Sequence, residues 1–243
     1  MEKELKENRV KTYGIIVGVI SLAAQHGIYL LSHFIATLIG IAPFSPKIEA
    51  IDGLIPLLPI FIIPYIWSYF YWAMGPMAVS KCKYEHFLNF MAAYLCSCLL
   101  GGLVLIFAPT YMDRVAEGLT DTSAHTGFFA DLMRFWYTLD GSDMAYNLFP
   151  SFHCSNSTIC MLGVLGRKEI PLWYRIYSVV ITLVIFASTV CVKQHFFIDI
   201  IGGVVVAIIA YTLCTKLNAG RLFLRPIAWV KKKFGKAETA EQE

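Results

Sequence analysis

From Tyr13 to Ile41 the chain carries no Asp, Glu, Lys or Arg, and apolar side chains dominate throughout. Two further uncharged runs, Leu54–Met74 and Phe87–Ala108, follow in the first half, and Ile176–Val192 follows in the second. A last run, Phe196–Leu213, is broken only by Asp199. None of these alternates apolar and polar positions with the period of a barrel strand, so each predicts a helix. A sixth, shorter run near Ser151–Gly166 falls below the roughly 20 residues needed to cross a bilayer. Its N-terminus is therefore expected to start below the surface and open into a cavity. The first run is too long for a signal-peptide core and is read as retained. Pro56, Pro59 and Pro64 are expected to kink the second.

The longest stretch between runs is Pro109–Pro150. Within it, TGFFADLMRFWYTL puts Phe128, Phe129, Leu132, Met133 and Trp136 on one helical face, as in a helix lying at a membrane interface. Packing of that face on the bundle fits the pattern equally. The fold class expected is an all-α integral membrane protein, a six-transmembrane-helix bundle with an interfacial helix in the long outer loop. Residues 1–12 form a cytoplasmic N-terminal segment, 13–216 the membrane domain, and 217–243 a cytoplasmic basic tail.

Composition agrees. Of 243 residues, 57% are hydrophobic and 15% charged, against about 25% charged in a soluble domain. Sixteen Lys and Arg fall on the side shared by the termini and four on the other, namely Lys47, Arg114, Arg134 and Lys193. The positive-inside rule then places both termini in the cytoplasm. With the charge so divided, the net +3 says little about nucleic acid, and the KKKFGK tail is expected to sit on anionic headgroups. The bilayer and a lipid substrate are the expected partners. The oligomeric state is left open. The seven cysteines form no metal-binding spacing; Cys154 and Cys191 lie near His153 and His195 in sequence, and spacing alone does not establish a disulfide between them.

Charge inside the apolar runs marks the chemistry. His195 and Asp199 are four residues apart, so on a helix they share a face and the carboxylate can orient the imidazole. Pro150 and Ser151 suit a helix start, where free N–H groups favour phosphate, and His153 lies one turn in. By alternation of the spans, this end of the fourth and the start of the sixth face the same, outer side. Two imidazoles, a carboxylate and the cation Lys193 are the parts that phosphoryl transfer needs.

These residues carry a resemblance. P-S-x-H at Pro150, Ser151 and His153, followed by S-T-x5-H-x3-D at Ser188, Thr189, His195 and Asp199, resembles the second and third motifs of the type 2 phosphatidic acid phosphatase superfamily. The reading STVCVKQH, with Asp140 and Asn147 upstream, is similar to its bacterial branch related to inositol phosphorylceramide synthases. Thr189 stands where the superfamily has arginine, and the first motif K-x6-R-P is missing, with Arg114 in a similar place. The resemblance implies a metal-independent site with no cofactor. His195 would be the nucleophile, Asp199 its orienting group and His153 the acid and base. Ser151, Lys193 and Arg114 would bind phosphate, with Asp140, Asn147 and Ser188 in support. The reaction implied is a lipid phosphate phosphatase or phosphotransferase acting through phosphohistidine on a lipid phosphate, a lipid pyrophosphate or a phospholipid head group. The alternatives are a head-group transferase with an alcohol acceptor and, in another class, a membrane transporter. A transporter would more often show repeats and mid-depth charges, a serine protease a G-x-S-x-G, and a zinc site an H-E-x-x-H.

Overall fold

The computed structural model describes residues 10–121 and 126–224. His125, the first nine residues and the KKKFGK tail lie outside the described residues. Long helices dominate: α1 (Thr12–Leu38), the short α2 (Glu49–Asp52), α3 (Ile62–Val79), α4 (Tyr84–Phe107), α5 (Phe128–Leu139), α6 (Phe152–Val164), α7 (Leu172–Cys191) and α8 (Phe197–Lys216). Four of them, α1, α4, α7 and α8, are long and apolar enough to cross a membrane. The chain is thus a helical membrane protein.

The second hydrophobic run begins its helix later than the sequence predicts. Pro56 and Pro59 precede the helix instead of kinking it. Leu58 is extended (φ −126°) ahead of a short 3-10 turn at Pro59–Phe61, and its N–H donates to the Cys191 carbonyl at 2.9 Å. A residue before proline is driven out of the helical region, so the chain stays extended through these prolines. Pro64 sits in the first turn of α3, where no helical N–H is lost. The proline inside the helix is Pro76.

At the centre stands α6, buried at every position from Phe152 to Cys160 and walled by α3, α4, α7 and α8. Its shortness is what lets its N-terminus stop inside the protein. Close approach of α8 depends on Gly203, where an added Cβ would stand 2.5 Å from the Ser151 carbonyl and 2.9 Å from the Cys154 Cβ. Gly101 of α4 likewise leaves room for the Phe152 ring. Glycine at these contacts lets the helix backbones approach closely.

Two features of the long loop were not legible. Strands β1 (Tyr111–Asp113) and β2 (Met144–Tyr146) pair antiparallel, Met112 opposite Ala145. This small ribbon ties the root of the loop and brings Arg114 beside Asp140. The helix expected in the loop is α5. It seats Ala130, Met133 and Tyr137 on the bundle, while Phe128, Phe135 and Leu139 stay exposed. The seated face is thus rotated from the expected one: Met133 is on it and Phe128 is not. All seven cysteines are free, Cys154 and Cys191 included.

Candidate active site

The starts of α6 and α8 meet at one end of the bundle. The Ser151 N–H donates to the Asp199 carbonyl at 3.1 Å, and the Ser151 Oγ accepts from the Cys154 N–H at 3.3 Å as the cap of α6. His195 sits just before α8. The link from α7 is tight: Lys193 adopts a left-handed φ of +50°, and the N–H groups of Gln194 and His195 both return to the Thr189 carbonyl. This turn aims the imidazole at the first turn of α8. There His195 Nδ1 lies 3.3 Å from Asp199 Oδ2, which also accepts the Phe196 N–H at 2.8 Å. A carboxylate only accepts, so Nδ1 carries the proton and Nε2 is left with a free lone pair. The expected pairing of His195 with Asp199 is present.

His153 projects from the first turn of α6 into an aromatic cage. Tyr65 stacks on it with centroids 4.2 Å apart, and Tyr69 and Trp72 meet it edge-on at 5.5 and 5.0 Å. The His195 ring is 5.8 Å away. His153 Nε2 is buried and has no protein partner. Both imidazoles line a cavity of about 300 Å³, whose wall also includes Tyr29, Asp140, Asn147 and Gln194.

Behind the wall stands Arg114, fully buried. Its guanidinium donates to the Gln194 side chain at 2.7 Å, to Asp140 Oδ2 at 3.3 Å and to the Gly141 carbonyl, and it lies over the Tyr137 ring. Asp140 is also bonded to the Tyr29 hydroxyl at 3.2 Å. Burial pushes the Asp140 carboxyl above its ordinary range, against the opposing pull of Arg114. With its Oε1 held by Arg114, Gln194 presents an amide whose Nε2 has no partner. Asn147, at a φ of +60°, likewise keeps a buried Oδ1 unpaired. Unpaired buried polar atoms are costly and rare, and three of them, on Asn147, His153 and Gln194, belong to residues that line this cavity.

Other residues singled out in the sequence lie elsewhere. Lys193 Nζ donates to the carbonyls of Asp52 and Ile55, at 3.1 and 2.6 Å, away from the imidazole cavity. Burial lowers its pKa. Ser151 is enclosed as the cap of α6, and Ser188 bonds to the Ile185 carbonyl of its own helix. None of these three lines the cavity. Among the described residues no cluster of three His, Cys, Asp or Glu side chains is placed to hold a metal ion.

Sequence reasoning passed over the cage. Tyr65, Tyr69 and Trp72 are spaced at helical intervals, a legible signal, but spacing within an apolar run does not say what the rings face. Tyr29 and Gln194 carried no pattern that sets them apart. His26 lines the cavity beside Tyr29. His86 lies within α4 and bonds to the Gly163 carbonyl at 2.8 Å.

A helical membrane protein with two imidazoles facing across a buried polar cavity, one of them paired with a carboxylate, belongs to a class equipped for phosphoester chemistry. The family can be stated plainly: the chain belongs to the PAP2 superfamily, whose model matches residues 51–213, from the short α2 nearly to the end of α8. It is a family of phosphatase and phosphotransferase type. No curated protein and no solved structure matches the chain.

Proposed function

We propose that the protein transfers the phosphoryl group of a membrane lipid phosphate, lipid pyrophosphate or phospholipid through a covalent intermediate on His195. The observation that carries this reading is the convergence of the His195–Asp199 pair and His153 on one cavity. His195 Nε2 attacks phosphorus, and Asp199 stabilises the imidazolium that forms. The bond from phosphorus to the leaving oxygen breaks, and that oxygen takes a proton from His153. His153, now neutral, accepts a proton from the incoming water or alcohol as its oxygen attacks the phosphohistidine. The phosphorus–nitrogen bond breaks and His195 is restored. Water gives a phosphatase. An alcohol gives a transferase similar to the inositol phosphorylceramide synthase branch.

Phosphate oxygens would meet the Gln194 amide, whose Nε2 has no protein partner, with Arg114 acting through Gln194 and Asp140 rather than by contact. Lys193 and Ser151 serve by holding the turn and the helix start. The cationic and donor groups are the protein's own, so no divalent ion is required. Six of the helices cross the bilayer, α5 lies at the outer interface, both termini are cytoplasmic, and the cavity opens outward.

The test is chemical trapping. Protein purified in chelator is mixed with a labelled lipid phosphate and quenched in alkali. An alkali-stable, acid-labile phosphopeptide containing His195 is expected, absent from His195→Ala. Full lipid turnover by His195→Ala would end the assignment.

A further inference from the structure

A second hollow, about 730 Å³, lies between α1 and α4, walled by apolar side chains such as Val17, Ile20 and Ala24 on one side and Met91 and Leu95 on the other. Gln25, a buried residue, stands on the walls of both this hollow and the imidazole cavity. We propose that this groove holds one hydrocarbon chain of the lipid substrate, threaded past Gln25 from the phosphate site. The inference rests on the phosphoryl-transfer reading and adds the part of the substrate that the imidazoles do not touch.

Three observations carry it. The groove adjoins the site, with Gln25 on the walls of both, so a molecule with its phosphate at His195 has an apolar groove beside it. The groove also has the length of a lipid chain. From Gln25 to Tyr13, at 1.5 Å per residue, the wall of α1 runs about 18 Å, and one leaflet of a hydrocarbon core about 30 Å thick is about 15 Å deep. The groove further has a floor. Tyr13 meets Tyr84 and Phe87 edge-on, with centroids 5.7 and 4.8 Å apart, and Phe223 closes the same end. A chain that reaches this aromatic cluster can go no deeper, so the groove measures chain length as well as binding it.

Ala24 is exposed on the groove wall, whereas its neighbour Ala23 is exposed but off the wall. Ala24→Trp should obstruct the groove without disturbing buried packing. Turnover of hexadecyl phosphate and of p-nitrophenyl phosphate is measured for the wild type, Ala24→Trp and the control Ala23→Trp. Relative to wild type, the ratio of long-chain to short-chain kcat/KM should fall at least about tenfold in Ala24→Trp, because several methylenes lose their burial. It should stay unchanged in Ala23→Trp. If the wild type turns over both esters and Ala24→Trp keeps the wild-type ratio, the groove proposal fails and the histidine chemistry stands. If the wild type turns over neither, the phosphoryl-transfer reading fails and this proposal with it.

A second measurement needs no turnover. Hexadecyl phosphate bearing a terminal diazirine is photolysed with the His195→Ala variant. Crosslinks on the floor at Tyr84 or Phe87 are expected, and hexadecyl phosphate should compete for them. Equal labelling by the same probe without its phosphate would mark ordinary bilayer lipid and overturn the proposal.

Discussion

His153 has a buried Nε2 without a protein partner, and His195 has its Nδ1 committed to Asp199. The two imidazoles therefore differ in what they lose on substitution. His153→Ala should retain attack on an ester with a good leaving group and lose turnover of an alkyl phosphate, because only the latter needs a proton in the first step. Equal losses on both would remove the acid role. Asp199→Asn should lower kcat by about two to four orders of magnitude, as when the carboxylate of a catalytic histidine is neutralised. Arg114 is a different kind of residue. Arg114→Met strips the donor from partly buried Asp140 and from Gln194, at about 2–3 kcal/mol, so the midpoint of thermal unfolding in detergent should drop. Lys193→Met should change kcat by less than about tenfold, since its ammonium bonds backbone carbonyls and not the cavity. A loss of two orders would return Lys193 to the phosphate.

The start of α8 is an element completed from elsewhere in the chain. The Phe197 N–H donates to Asp52 Oδ1 at 2.8 Å, and Asp52 Oδ2 accepts the Ile48 N–H at 2.7 Å. The carbonyl of the same residue holds Lys193. A buried aspartate on α2 thus caps a helix about 145 positions later and steadies the turn that carries His195. Asp52→Ala should cost about 1–2 kcal/mol as a lost cap. It should also speed hydrogen exchange at the Phe197 amide and lower kcat more than it raises KM. Unchanged exchange there would refute the cap. The contact between α6 and α8 is as demanding. Gly203→Val should destabilise by about 1–3 kcal/mol, because its side chain would meet the Ser151 carbonyl and Cys154 with nowhere to move.

For the whole molecule, sidedness decides which lipids are reached. Among the described residues, Lys47, Arg114, Arg134 and Lys193 gather at the cavity end, and Lys11, Lys81, Lys83, Arg167 and Arg175 at the other. Under the proposed orientation, with the positive end in the cytoplasm, the cavity would open to the outer leaflet. Thr120 is exposed at the cavity end. In a background without native cysteines, Thr120→Cys should react with a membrane-impermeant maleimide added to intact cells. Reaction only after permeabilisation would invert the topology and leave the histidine chemistry untouched.

Hydrophobic runs, charge and spacing were enough for the long helices, for the pairing of His195 with Asp199 and for His153 at the start of a short buried helix. All of these are local: a helix brings residues four apart together, and lipid demands long apolar runs. The prolines before α3 misled because their effect depends on whether the helix has begun, which the apolar pattern does not record. Arg114 beside Asp140, the Gln194 amide turned to the cavity, the aromatic cage around His153 and the cap from Asp52 needed the tertiary structure. Each joins residues from distant segments through a ribbon of three-residue strands, a left-handed turn or a glycine contact. Such contacts are set by how helices pack, and one-dimensional periodicity holds no trace of them.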